Sequence, residues 1–229
     1  PTGPWTAMEF QADTAGATFN DFVTMGIDGD SLTLATINFG NGANAQDLSV
    51  YSIPKADLTA AAPTLSNLQR HENLPVGFLG GGPIQPAVNF NPSSTNTPLL
   101  VADDNGRSSL TRFDTAALPF LNRTQINVPA YTAPNVARQP GAQDVDNTLA
   151  RIPSNVVEVN GSLWAAQAVR GTSGNSAIRW YEIDATTNAV KQTGLIEGTN
   201  QDFYYPSIAV NDQGQVVIGY SGSGPSQFI

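Results

Sequence analysis

The chain has 229 residues, no cysteine and a formal net charge of −9 at pH 7. The absence of cysteine excludes disulfides and thiolate metal sites, and the negative charge disfavours nucleic acid because phosphate groups are repelled. Charged residues make up only 13% of the chain while Gly (21) and Pro (16) are frequent, which is typical of many short strands joined by tight turns.

Four segments of the chain repeat one pattern of a strand, a tight turn and a second strand. The predicted strand pairs are 22–27 with 31–39, 85–90 with 98–102, 153–159 with 162–168, and 205–210 with 215–220. A third strand follows in the first three units, at 47–53, 109–114 and 177–184, and a weaker fourth strand at 64–68, 124–128 and 192–196. This succession is the plan of a propeller blade.

The repeat predicts an all-β chain, specifically a β-propeller made of about four four-stranded blade units. The units cover approximately residues 22–70, 84–130, 152–197 and 203–229, with residues 1–12 as a further contributor to the last unit. Two interpretations stay open, a fragment of a larger propeller or a ring in which residues 5–10 supply a missing outer strand. A two-sheet sandwich is the alternative fold, although the repeat argues against it.

One of these hairpins resembles a segment of a known family. Residues 151–153 read Arg-Ile-Pro and are followed by the hairpin at 156–165, and this stretch resembles the Arg-Ile-Pro segment and first hairpin of sialidase-type propellers. Residues 205–220 are similar to the repeats of secreted bacterial sialidase-like proteins. The resemblance implies a propeller fold and a role for Arg151 in holding a ligand carboxylate. The Asp-box turn of that family is absent at residues 183–188.

Aspartates in tight loops are the candidate metal ligands, and calcium is the only cofactor that the sequence suggests. The residues are Asp28, Asp30, Asp103, Asp104 and Asp212. Calcium binds about six to eight oxygen ligands, and carboxylates in loops supply them. Asp and Asn beside Gly are also the preferred residues of hairpin turns because they tolerate positive φ, so a purely structural role is the alternative.

Aromatic residues in the second half of the chain, together with Arg151, are the candidate ligand-binding residues. The set is Arg151, Trp164, Trp180, Tyr181 and Tyr204. Exposed Trp and Tyr stack on sugars and anchor protein interfaces, whereas buried ones pack between blades. The single histidine, His71, lies among charged neighbours and is predicted to be a solvated loop residue. No catalytic residue is assigned.

The leading hypothesis for function is a secreted or cell-surface propeller that acts as a binding or structural module for glycan or protein partners. One alternative is a sialidase-like glycoside-processing enzyme, which requires further cations near Arg151, with Arg107, Arg138 and Arg170 as the candidates. Another is a subunit of an extracellular assembly, homomeric or heteromeric, that pairs through open blade edges. The sequence contains no apolar run of membrane-spanning length, so no membrane insertion is expected.

Overall fold

Four antiparallel units follow one another along the chain in the computed structural model, which describes residues 3, 5–40, 44–75, 82–114, 123–141, 143–147 and 149–229. The first unit consists of β1 (Phe19–Ile27), β2 (Ser31–Phe39), β3 (Ala45–Pro54) and β4 (Gln69–Pro75). The second consists of β5 (Gln85–Val88), β6 (Pro98–Ala102), β7 (Ser109–Asp114) and β8 (Thr124–Asn127). The third consists of β9 (Val156–Val159), β10 (Ser162–Arg170), β11 (Ser176–Asp184) and β12 (Val190–Ile196). The fourth pairs β13 (Asp202–Val210) with β14 (Val216–Ser223).

The units stack face to face, and apolar residues fill the space between each unit and the next. Strand β6 shows why: Leu99 and Val101 face the core shared with the first unit, and Leu100 faces the core shared with the third. In β10, Leu163 packs toward the second unit and Trp164 toward the fourth. These strands therefore read as continuous apolar runs, because a strand between two cores buries both faces.

The first strands of three units lie side by side at the centre of this stack. Ile27 of β1 bridges Val88 of β5 in parallel, and Val88 in turn bridges Val157 of β9. A Cβ on Gly26 would lie 2.4 Å from the carbonyl oxygen of Ala87, so only glycine permits this approach of β1 to β5. The chain is thus all-β with the strand order of propeller blades, consistent with part of a β-propeller.

The amino-terminal segment lies against the first unit. Residues 5–11 form no strand, and the ring of Phe10 lies 5.2 Å from that of Tyr51 on β3. Arg70 on β4 donates a hydrogen bond to the Gln11 carbonyl at 2.6 Å. In this structure the segment therefore covers the outer face of the first unit and adds no strand to the fourth.

The outer strand of the first unit lies further along the chain than the sequence indicated. It runs over Gln69–Pro75, not 64–68, and contains His71. His71 is half-buried, and burial lowers the pKa of its imidazole, so the prediction of a solvated loop histidine is wrong. One short helix, α1 (Lys55–Leu58), begins directly after β3. The described residues include no helix of the length and apolar character needed to cross a membrane.

Candidate functional site

A cavity of about 230 Å³ opens where the inner strands of the units begin. Its lining comes from β1, from the start of β5, from the segment before β9 and from β13. The lining residues are Phe22, Val23, Thr24, Pro83, Gln85, Arg151, Pro153 and Tyr205. The cavity therefore lies at one end of the central axis, in the position where propeller loops converge.

Two aromatic residues of this lining have an unusual backbone conformation. Phe22 has φ of 50° and Tyr205 has φ of 49°, both in the left-handed region that disfavours side chains with a Cβ. Each lies in a break of strand register, between Asp21 and Thr24 in β1 and between Tyr204 and Ser207 in β13. A bulge re-aims side chains, and here the bulges of the first and fourth units both place an aromatic residue at the same cavity. Such strain is concentrated at functional sites.

Arg151 lies at the cavity as a paired cation. Its Nε donates to Oδ1 of Asp104 at 3.0 Å and its Nη2 donates to Oδ2 at 2.9 Å, a bidentate geometry. The guanidinium also lies 5.4 Å from the centre of the Phe22 ring, within range of a cation–π interaction. Because Asp104 neutralises Arg151 in this pair, the cavity offers little net attraction for a ligand carboxylate.

The remaining polar groups of the cavity are neutral. Gln85 is almost fully buried, and its Nε2 donates to the Ile152 carbonyl at 2.8 Å. The Tyr205 hydroxyl donates to the Asp146 carbonyl at 3.0 Å. Burial raises the pKa of Tyr205, so this phenol is uncharged at neutral pH. The site thus combines aromatic surface with fixed neutral dipoles and one compensated charge.

Of the four aromatic residues predicted to bind a ligand, Trp164, Tyr181 and Tyr204 are buried, and Trp180 is partly buried against the core. Trp164 and Trp180 stack with ring centres 6.3 Å apart in the cluster between the third and fourth units. Tyr181 is fully buried, its hydroxyl accepts from Gln167 at 3.1 Å, and burial raises its pKa. Tyr204 is equally buried and donates to the Ser223 hydroxyl at 3.1 Å. Trp164 and Tyr181 pack between units because alternation in β10 and β11 turns them toward neighbouring units.

Phe22, Gln85 and Tyr205 are the cavity residues that sequence reasoning missed. Tyr205 follows Tyr204 in the sequence, but the bulge buries Tyr204 and turns Tyr205 toward the cavity. The alternation of apolar and polar residues in this strand does not indicate the bulge. The proline that follows Tyr205, matched by Pro86 and Pro153 in the other inner strands, is the one available signal. Pro153 lines the cavity, and Pro86 and Pro206 each follow a residue that lines it.

The aspartates predicted to bind calcium mostly have protein partners. Asp28 accepts from the backbone amides of Asp30 and Ser31 at 3.0 and 2.7 Å and from the Thr97 hydroxyl at 2.6 Å. Asp103 pairs with Arg107, and Asp104 pairs with Arg151. The backbone carbonyl of Asp212 accepts from Asn160 at 2.7 Å. Among the described residues no three or more His, Asp or Glu side chains converge as a metal site, so calcium binding stays a prediction for a direct titration.

The arginines that the sialidase-like alternative requires lie elsewhere. Arg138 donates to buried Asp202 at 2.7 Å and, with Arg170, lines a separate cavity of about 370 Å³. Arg107 is mostly exposed and binds Asp103. Of the described residues that line the first cavity, Arg151 is the only cation. The cluster of cations that would hold a ligand carboxylate is therefore not assembled around Arg151.

Comparison with known proteins gives only weak likenesses. No family model matches the sequence, and no curated protein matches it. Among solved structures, a subtype N10 neuraminidase-like protein of A/little yellow-shouldered bat/Guatemala/060/2010 is similar with a TM-score of 0.48 and 15% identity over 88% of this chain. A neuraminidase-like protein from A/bat/Guatemala/164/2009 gives 0.48 and 14% over the same share. This chain spans 59% and 54% of their respective lengths.

Proposed function

We propose that this chain is a secreted or cell-surface β-propeller binding module whose axial cavity holds a neutral sugar ring of a glycan. The observation that carries the proposal is the pair of bulged aromatic residues, Phe22 and Tyr205, that face one cavity beside Arg151. Aromatic faces bind the apolar face of a sugar, and fixed polar groups orient its hydroxyls. A cavity of about 230 Å³ fits one ring and not an extended chain.

The charge balance of the site favours a neutral ligand over an acidic one. Nε and Nη2 of Arg151 already donate to the carboxylate of Asp104, so a ligand carboxylate would have to displace Asp104 to form a bidentate pair with them. The pair is only partly exposed, and breaking such a pair leaves a charge without its partner. A neutral hydroxyl can accept from the guanidinium without this cost.

Titration with a panel of methyl glycosides tests the proposal. We expect a neutral glycoside to bind with a dissociation constant on the order of 1 mM, and N-acetylneuraminic acid to bind more weakly. Tyr205→Ala should weaken binding by about fivefold or more, since ring stacking contributes about 1 kcal/mol or more. Tyr220→Ala is the matched control, because Tyr220 has the same 42% exposure but does not line the cavity.

Two outcomes would overturn the proposal. Stronger binding of the acidic sugar would favour the sialidase-like alternative and require Arg151 to leave Asp104. Binding that responds equally to Tyr205→Ala and Tyr220→Ala would place the ligand outside the cavity. Glycan titration of the Asp104→Asn variant separates the cases, because an unpaired Arg151 should shift preference toward the acid.

A role in an extracellular assembly is the second candidate function. Apolar side chains are exposed on β1, with Phe19 at 68%, Val23 at 65% and Met25 at 50%, and on β14, with Val217 at 70%. Exposed apolar surface of this kind marks interaction sites. Light scattering over a concentration series would show self-association, and replacement of Val23 and Val217 by Ser should abolish it.

A further inference from the structure

A second, larger cavity of about 510 Å³ lies at the hairpin-turn end of the axis, away from Arg151. It is formed where β5, β9 and β13 end and their turns begin. The lining residues are Asn89, Phe90, Asn91, Glu158, Val159, Asn160, Gly161, Val210, Asn211 and Asp212. Three units contribute to it, so its shape depends on the tertiary arrangement and not on one hairpin.

The cavity has an unsatisfied acceptor at its wall. Oε2 of Glu158 is buried and has no hydrogen-bond partner among the described residues. An unpaired buried carboxylate oxygen is costly, and the cost is removed when a donor is supplied. The terminal torsion of a glutamate is broad, so either oxygen can turn toward the cavity. Burial raises the pKa of Glu158, and the nearby side chains of Asn89 and Arg112 oppose this effect.

The electrostatic surroundings of Glu158 favour a cation. Asp212 also lines the cavity, and the lining that the structure describes contains no Lys, Arg or His. The nearby Arg112 is already engaged: it donates to Asp114 at 2.8 Å, to the Ala185 carbonyl at 2.5 Å and to Asn188 at 2.8 Å. A cationic partner for Glu158 must therefore come from outside the described lining.

Phe90 supplies an aromatic surface at the same cavity. Its side chain is 81% exposed, although large apolar groups are usually covered. An ammonium group over an aromatic face gains a cation–π interaction in addition to its contact with a carboxylate. The space and the apolar residues Val159 and Val210 suit an alkyl chain behind the charge.

We propose that this second cavity binds a primary alkylammonium group, which donates to the Glu158 carboxylate and lies over the Phe90 ring while its alkyl chain packs on Val159 and Val210. A bare divalent cation fits less well, since the described residues bring no three carboxylates together and calcium needs several oxygens. The ammonium can belong to a free alkylamine or to a lysine side chain, and these sources share the recognised chemistry. The site is independent of the glycan cavity at the other end of the axis.

The test is a titration followed by NMR with three probes: butylamine, Nα-acetyl-lysine methylamide, and the same compound acetylated at Nε. We expect the acetylated compound, which has no charge, to bind about tenfold more weakly than its parent or worse. Binding of both amines with similar affinity identifies the ammonium alone as the ligand. Binding of the lysine derivative only identifies a lysine side chain.

Variants locate the binding at this cavity. Glu158→Gln keeps the shape and removes the charge, and it should weaken amine binding by about tenfold or more. Phe90→Ala should weaken it about two- to fivefold, and at 81% exposure this change leaves the fold intact. Glu9→Gln, on an exposed residue of the amino-terminal segment, removes the same charge elsewhere and should change nothing.

Three results would overturn the proposal: no binding of either amine, equal binding of the acetylated probe, or wild-type affinity in Glu158→Gln. If Glu158→Gln fails to fold, Phe90→Ala decides by itself, and unchanged amine affinity in that variant rejects the site. Loss of glycan binding in the Tyr205→Ala variant with amine binding retained shows that the two sites are separate.

Discussion

Replacement of Phe22 by Gly and, separately, by Ala measures the backbone strain at the glycan cavity. Both variants remove the same ring, so they lose the same contacts with Phe39 and Arg151. They differ in the Cβ, which is unfavourable at φ of 50° by roughly 1–2 kcal/mol. Glycine in turn stabilises the unfolded chain by about 0.4–1 kcal/mol, because its backbone has more conformational freedom there, and this partly offsets the gain. The Gly variant should therefore be more stable than the Ala variant by about 0.5–1 kcal/mol.

The absolute cost of the ring follows from its exposure. Phe22 is 45% exposed, so its removal forfeits about half of the transfer free energy of a phenylalanine, about 1 kcal/mol. The cation–π interaction with Arg151 adds about 0.5–1 kcal/mol. We expect Phe22→Ala to lower the free energy of unfolding by about 1.5–2 kcal/mol and Phe22→Gly to lower it by about 1 kcal/mol. Both variants should lose glycan affinity.

Urea unfolding followed by tryptophan fluorescence is the assay, with the same pair of substitutions at Phe90 as control. Phe90 has no positive φ, so there the Ala variant should be the more stable of the two. The more stable variant should therefore be the Gly variant at Phe22 and the Ala variant at Phe90. If Ala is as stable as Gly at Phe22, the bulge stores no strain and the reasoning that links it to the cavity fails.

Three further predictions concern packing and pH. Gly26→Ala should destabilise the fold by about 2 kcal/mol or more because its Cβ meets rigid backbone of β5, whereas Gly219→Ala, with its nearest contact at 3.4 Å, should be neutral in urea unfolding. The Asp13 carboxylate accepts from three backbone amides, and these hydrogen bonds lower its pKa to about 2. The order that this carboxylate gives to residues 13–18 is therefore present above pH 4 and should be lost as the pH falls from about 4 to about 2. Backbone amide NMR shifts would show the loss, and Asp13→Asn should remove the pH dependence. Burial lowers the pKa of His71, so the free energy of unfolding should fall as the pH drops below about 6.5. His71 is the only histidine in the sequence, so its imidazole NMR signal reports this pKa directly. A measured pKa above 6.5 would contradict the burial of the side chain.

Local patterns in the sequence determine most of the strands. Alternation and turn residues place the third strand of the second unit at 109–114, and β7 has these bounds. The turn at Asn160 and Gly161 joins β9 to β10, and both residues have positive φ, which explains why Asn and Gly occur there. The all-β class follows because such patterns are short-range. The outer strand β4 was misplaced because an edge strand with one covered face has a weaker pattern.

Tertiary structure alone decides which side chains form the sites. Tyr204 and Tyr205 are neighbours, yet a bulge buries the first in the core and turns the second to the cavity. Arg151 reads as a free cation in the sequence, but Asp104 reaches it from another unit and neutralises it. Such pairings join residues far apart in the chain and depend on how the units stack. Sequence periodicity specifies the face of a strand, and only the packed units determine what that face meets.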